Sequence, residues 1–221
     1  MARYYKGILG VIIGKVGTVV GRRWRAGIHT LASLPAKNKT PKQPTTAQAL
    51  IQARFSVITE LASAFIEAVK IGFHNFSMSK GMTETNVFVK KNWEAVHAAS
   101  PDSVSIDYAD LVCSKGSLPG ALFGAPGFDN PQQIAFTFDG NEDMPKADNN
   151  DLVYVYAYCP DTKSGILATP VMRSVGSITI TVPSYWNGMK VHCWGFAQGM
   201  KAGLNENMVS DSTYLGSGNI S

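Results

Sequence analysis

Residues 151–159 read DLVYVYAYC, and the alternation in this stretch decides what kind of fold the chain can adopt. Val153, Val155, Ala157 and Cys159 fall on one face of an extended segment, and Tyr154, Tyr156 and Tyr158 on the other, which is the period of a β-strand. SITITV (177–182) and KVHCWGFA (190–197) alternate in the same way. Strands near 103–113, 132–138, 151–159, 166–173, 176–182, 189–198 and 207–215, separated by Gly, Pro, Asn and Asp, make seven. That number and spacing predict an immunoglobulin- or fibronectin-like β-sandwich domain over residues 101–221. The Cys-Trp-Cys arrangement of antibody domains is missing, so the architecture is expected without its disulfide.

Upstream of Pro101 the period changes to that of a helix. Thr45 and Gln48 form a capping-box pattern, and behind them Ile51, Phe55, Ile58, Ala62, Phe65 and Val69 recur at steps of four and three. One long helix reaching about Gly72 follows. Leu61, Ala64, Ala68 and Ile71 widen its apolar stripe, so it packs on more than one side. A second helix is predicted from Thr83 through Phe88, Val89, Trp93 and Val96 to about His97, where Ser100, Pro101 and Asp102 end it. These helices define a segment over 46–100. Ahead of them, LPAKNKTPKQPTTAQ (34–48) carries three prolines and three lysines and reads as an extended linker.

The N-terminal stretch GVIIGKVGTVVGRRWRAG (10–27) admits several readings. A phosphate-binding loop needs glycine, four residues, then Gly-Lys-Ser/Thr, but Leu9 stands at the first glycine and Val16 at the hydroxyl. A membrane helix needs about twenty apolar residues, and Lys15 and Arg22 interrupt the run long before that. No span and no secretory signal are expected. A helix would have to accommodate five glycines, each costing about 1 kcal/mol relative to alanine, among β-branched neighbours. Short strands reversed at glycines are predicted instead, ending where Trp24 sits among Arg22, Arg23 and Arg25. Such a basic, glycine-rich β arm over 1–45 has little side-chain volume and needs a neighbour to cover it.

Charge is distributed unevenly. From Met1 to Thr45 there are nine lysines and arginines and no acid, whereas from Pro101 onward twelve acids face six bases. A basic end and an acidic end suit head-to-tail attraction between copies, or an arm directed at an anionic partner. Cys113, Cys159 and Cys193 lie far apart in apolar segments, which predicts reduced core thiols. They and His29, His74, His97 and His192 form no metal-ligand spacing and no nucleophile-and-base motif. No catalytic residue, metal or cofactor is therefore assigned, and the chain is expected not to be an enzyme.

Five elements, KGILGVIIGKVGTVVGRRWRAG, TTAQALIQARF, TETNVFVKKNW, LVCSKGSLPGA and VSDSTYLG, in this order resemble an uncharacterised family from Bacteroidota and their phages, the domain of unknown function 6266. The Gly-Lys-Val-Gly and Thr-x-x-Gln elements also look like the N-terminal regions of small virion structural proteins. The resemblance transfers no catalytic residues. Together with the basic glycine-rich arm, the long apolar helix and the β-sandwich, the likeness leads to the expectation of an α+β structural protein of the phage collar, tail or head-to-tail region, assembled in the host cytoplasm into the virion. Its partners are then further copies in a ring and other virion proteins. The assembly interface is expected at Gly10, Gly14, Lys15, Gly17, Gly21, Arg22, Arg23, Trp24 and Arg25. Two alternatives stand beside this reading. In one, the basic arm binds nucleic acid. In the other, the sandwich is a surface binding module using an aromatic patch of Tyr154, Tyr156, Tyr185 and Trp186.

Overall fold

A computed structural model describes residues 3–5, 11–23, 27–34 and 43–220. The chain divides into two compact units, Met1–Thr45 and Thr46–Ser221. The first is a four-stranded antiparallel sheet of β1 (Arg3–Tyr5), β2 (Val11–Val16), β3 (Val19–Arg23) and β4 (His29–Ser33), in that order.

The second unit carries four α-helices, α1 (Thr46–Ala64), α2 (Ile66–Gly72), α3 (His74–Lys80) and α4 (Glu84–Lys91), followed by antiparallel strands. β5 (Val96–Ser100) and β6 (Ser103–Ile106) form a hairpin. Then come β7 (Leu122–Phe123), β8 (Gly127–Asn130), β9 (Gln133–Asp139), β10 (Leu152–Cys159), β11 (Ser164–Leu167), β12 (Val171–Met172), β13 (Ser177–Thr181), β14 (Lys190–Gln198) and β15 (Thr213–Asn219). The central sheet runs β11-β10-β14-β15, with β12 also on β10. β10 and β14 pair from Leu152↔Gln198 to Tyr158↔His192. A second sheet runs β13-β9-β7, with β8 also on β9.

The alternation of β10 feeds two cores. Val153, Val155, Ala157 and Cys159 join Val191 and Cys193 of β14 and meet Ile134 and Phe136 of β9, Ile178 and Ile180 of β13, and Trp186. The two sheets therefore face each other across a shared interior. On the reverse face, Tyr154, Tyr156, Tyr158, Trp194 and Phe196 pack against Ile58, Leu61, Phe65, Val69 and Phe88 of the helices. Phe65 is the centre of that layer, with ring centroids 4.5 Å from Tyr156 and 5.0 Å from Trp194.

This second core corrects the division expected at residue 100. The helices do not form a segment of their own, because their apolar stripe is buried by the tyrosine face of β10 within one unit, Thr46–Ser221. The expected long helix is broken at Phe65, where α1 and α2 meet at 81°. The predicted second helix begins as expected, with Thr83 Oγ1 accepting from the Asn86 amide at 3.2 Å, but it stops at Lys91. Its end is set by the buried Asn92, whose side chain donates to the Phe88 and Val112 carbonyls and accepts from the Val112 amide. Such side-chain competition draws the backbone out of a helix, and Val96 then pairs with Ile106 as a strand.

Candidate functional site

The Gly10–Gly27 stretch belongs to the first unit, and among its described residues Gly14, Gly17 and Gly21 serve backbone geometry. β2 and β3 are joined by a two-residue turn, Gly17–Thr18, flanked by the Val16↔Val19 pair. Gly17 has φ +56°, the positive value that the first position of a tight hairpin turn requires and that glycine supplies without steric cost. Gly14 lies opposite Gly21 across the ladder. A methyl group on Gly21 would run into the Ile12 carbonyl, so the strands approach closely only because that side chain is absent.

Register assigns the remaining residues to faces. Val16, Val19 and Leu31 share one face with Gly14 and Gly21, while Lys15 and Arg22 lie on the opposite one. Arg23 pairs with His29 at the end of the ladder, on the same face as Val19 and Leu31. Val16 is 40%, Val19 38% and Leu31 63% exposed. Gly21 alone is buried among the described residues of this unit. Among the described residues, Val16, Val19 and Leu31 thus put exposed apolar surface on one face, while Val11, Ile13 and Val20 share the other with Lys15 and Arg22. Strand β4 lies at one end of the sheet order, so its outer edge leaves backbone donors and acceptors unpaired within the sheet. Among the described residues, no carboxylate pairs with Lys15, Arg22 or Arg23. Of the nine expected interface residues, the structure brings Gly14, Lys15, Gly17, Gly21, Arg22 and Arg23 into one hairpin. Gly10, Trp24 and Arg25 lie outside the described residues. The apolar partners Val19 and Leu31 had no signal in the sequence, since only the pairing register shows that they share a face.

The expected aromatic patch is not a surface, and three of its four members are buried. Tyr154 and Tyr156 lie under the helices, with the Tyr154 hydroxyl 3.0 Å from Gln198 Oε1 and the Tyr156 hydroxyl donating to the Ala64 carbonyl at 2.6 Å. Burial pushes both phenols above their ordinary pKa. Trp186 is fully buried in the other core, between the sheets, while its neighbour Tyr185 is 60% exposed. The alternation of β10 puts both tyrosines under the helices, whereas the turn Ser184–Trp186 after β13 sends Trp186 between the sheets and Tyr185 to solvent. Cys113, Cys159 and Cys193 are buried free thiols, and burial pushes Cys113 up to about 12, away from nucleophilic use. Among the described residues, no cluster of His, Cys, Asp and Glu could hold a metal ion. Among the described residues, no single helix is long and apolar enough to cross a membrane.

These features define a mixed α and β protein of antiparallel sheets, with helices on one face of the central sheet and a further four-stranded sheet on which Val16, Val19 and Leu31 are exposed. The chain belongs to the family of unknown function DUF6266, whose model matches residues 11–216. No curated protein and no solved structure matches it.

Proposed function

We propose that the protein is a non-enzymatic structural assembly protein, a virion component of a Bacteroidota phage in the collar, tail or head-to-tail region, which forms or decorates an oligomeric ring. The observation that carries this reading is the sheet of Met1–Thr45. A four-stranded sheet with Val16, Val19 and Leu31 exposed and an edge open within the sheet gains little from folding by itself. It gains more when another copy continues the sheet. The order β1-β2-β3-β4 leaves two different ends, so β4 of one copy can lie beside β1 of the next, an arrangement that repeats around a ring.

The larger unit fits the same role. In chain order, β7, β8 and β9 lie in one sheet, β10, β11 and β12 in the other, β13 returns to the first, and β14 and β15 to the second. This crossing between sheets supports the immunoglobulin- or fibronectin-like sandwich expected from strand spacing, a rigid body suited to edge and face contacts.

Leu31→Lys and Val19→Lys test the proposal, because both change exposed side chains. Each is expected to weaken assembly by about 2 kcal/mol, read by sedimentation velocity and by incorporation into particles, with the melting of the larger unit unchanged. Lys15→Glu with Arg22→Glu probes the opposite face. If those charge reversals abolish salt-sensitive binding to random duplex DNA while the lysine variants assemble normally, the arm is a nucleic-acid arm and the assembly reading fails.

A further inference from the structure

The helical layer of Thr46–Ser221 bears a groove on its outer side. A cavity of about 530 Å³ lies between Phe55 of α1 and Val89, Lys90 and Trp93 in and just after α4. It adjoins one of about 280 Å³ between Phe76 and Lys80 of α3 and Lys90 and Lys91 of α4, the two sharing Met82 and Lys90. The floor is apolar and aromatic, and Phe55 is 52% exposed upon it. The rim is cationic. Lys91 stands 5.1 Å from the Phe76 ring centroid and Arg54 4.3 Å from that of Trp93. Glu94, the carboxylate on the lining, lies 3.5 Å from Arg54. An occupant of this groove needs an apolar anchor with carboxylates beside it.

The chain carries such an element in the loop between β9 and β10. There Glu142 and Asp143 precede Met144, which is 48% exposed. The loop is held firmly. Buried Arg173 donates to the Gly140 carbonyl and lies 3.4 Å from the buried Asp151 carboxylate. Asn205 donates to the Lys146 carbonyl at 2.7 Å and to Asp151 at 2.8 Å. Asp151 in turn accepts from the Asp148 amide at 2.9 Å. A loop fixed in this way loses little freedom when it docks, and methionine is an adaptable apolar anchor. Within one chain the two do not meet. The groove is lined from residues 55–94 only, while Asn141 and Met144 line a different cavity beside Gly120 and Asp211.

We infer that the groove between α1, α3 and α4 receives the Glu142-Asp143-Met144 loop of a second copy of this chain, with Met144 on the aromatic floor and the two carboxylates against Lys80 and Lys90. The contact joins unlike surfaces, so it propagates head to tail and leads to a ring or a filament. It involves Thr46–Ser221 alone and stands apart from the contact proposed for the N-terminal sheet.

The test uses the full chain carrying Leu31→Lys, so that the sheet contact does not mask the groove. In this background the protein is expected to self-associate in sedimentation velocity, less strongly as salt is raised. Lys80→Glu with Lys90→Glu, and separately Glu142→Lys with Asp143→Lys, should each weaken association by about tenfold or more. All four positions are exposed, and unchanged circular dichroism and melting confirm the fold. Mixing the two reversed variants should restore association, because each reversed surface then has a partner of opposite charge. A monomeric parent, a reversal without effect, or a mixture that stays dissociated overturns the inference. An association of the Leu31→Lys parent equal to that of the unsubstituted chain counts instead against the N-terminal sheet contact.

Discussion

His192 shows how burial, more than any charge, sets the behaviour of a single residue. Its ring stacks on Tyr108 at 4.1 Å, its Nδ1 lies 2.8 Å from the Tyr214 hydroxyl, and it is 7% exposed. Burial first, and the Lys190 charge second, pull its pKa down from 6.5 to about 4. The unfolded chain therefore binds a proton near pH 6.5, whereas the folded chain does not until about pH 4. Stability is complete above 6.5 and falls as pH drops through that window, by up to about 3 kcal/mol at its lower end. His192→Gln should flatten this part of the acid limb. Equilibrium urea unfolding of both proteins at pH 7, 5.5 and 4 measures the difference, and parallel pH profiles would show that His192 stays protonated on folding.

Among the elements, the helical layer depends on the break between α1 and α2. Phe65 stands at that break and reaches Phe88, Tyr156, Tyr158 and Trp194, while the Ala64 carbonyl beside it accepts from Tyr156. Phe65→Ala empties the centre of this core and is expected to cost about 3–5 kcal/mol, read as a lower denaturation midpoint. β10 was legible in the sequence because Val and Tyr alternate without interruption. Its tyrosine face was not, since a tyrosine row reads equally well as a wetted surface or as a layer under helices, and only the covering element decides. β15 was placed too early, at 207–215 rather than Thr213–Asn219, because Gly216 and Gly218 suppress the alternation. Gly218 is there because a side chain would strike the Phe128 ring. In the candidate interface the turn at Gly17 followed from composition, whereas the exposed Val16-Val19-Leu31 face required a register that local sequence does not encode.

At the scale of the whole molecule, neither buried core includes a described residue from Met1–Thr45. Residues 46–221 should accordingly melt cooperatively by themselves, whereas a piece starting at Pro101 should not, because it bares Tyr154, Tyr156, Trp194 and Phe196. Thermal denaturation of both fragments with a dye that binds exposed apolar surface distinguishes them. A sharp, dye-free melt of the shorter piece would mean that the helices are dispensable. The central sheet has one more consequence. From Val153 to Cys159 every residue of β10 is buried, with strands on both edges and a core on each face. Its amides have no local route to solvent, so they trade hydrogen for deuterium only when the whole unit opens. The slowest-exchanging peptides thus report global stability under native conditions, without heat or denaturant.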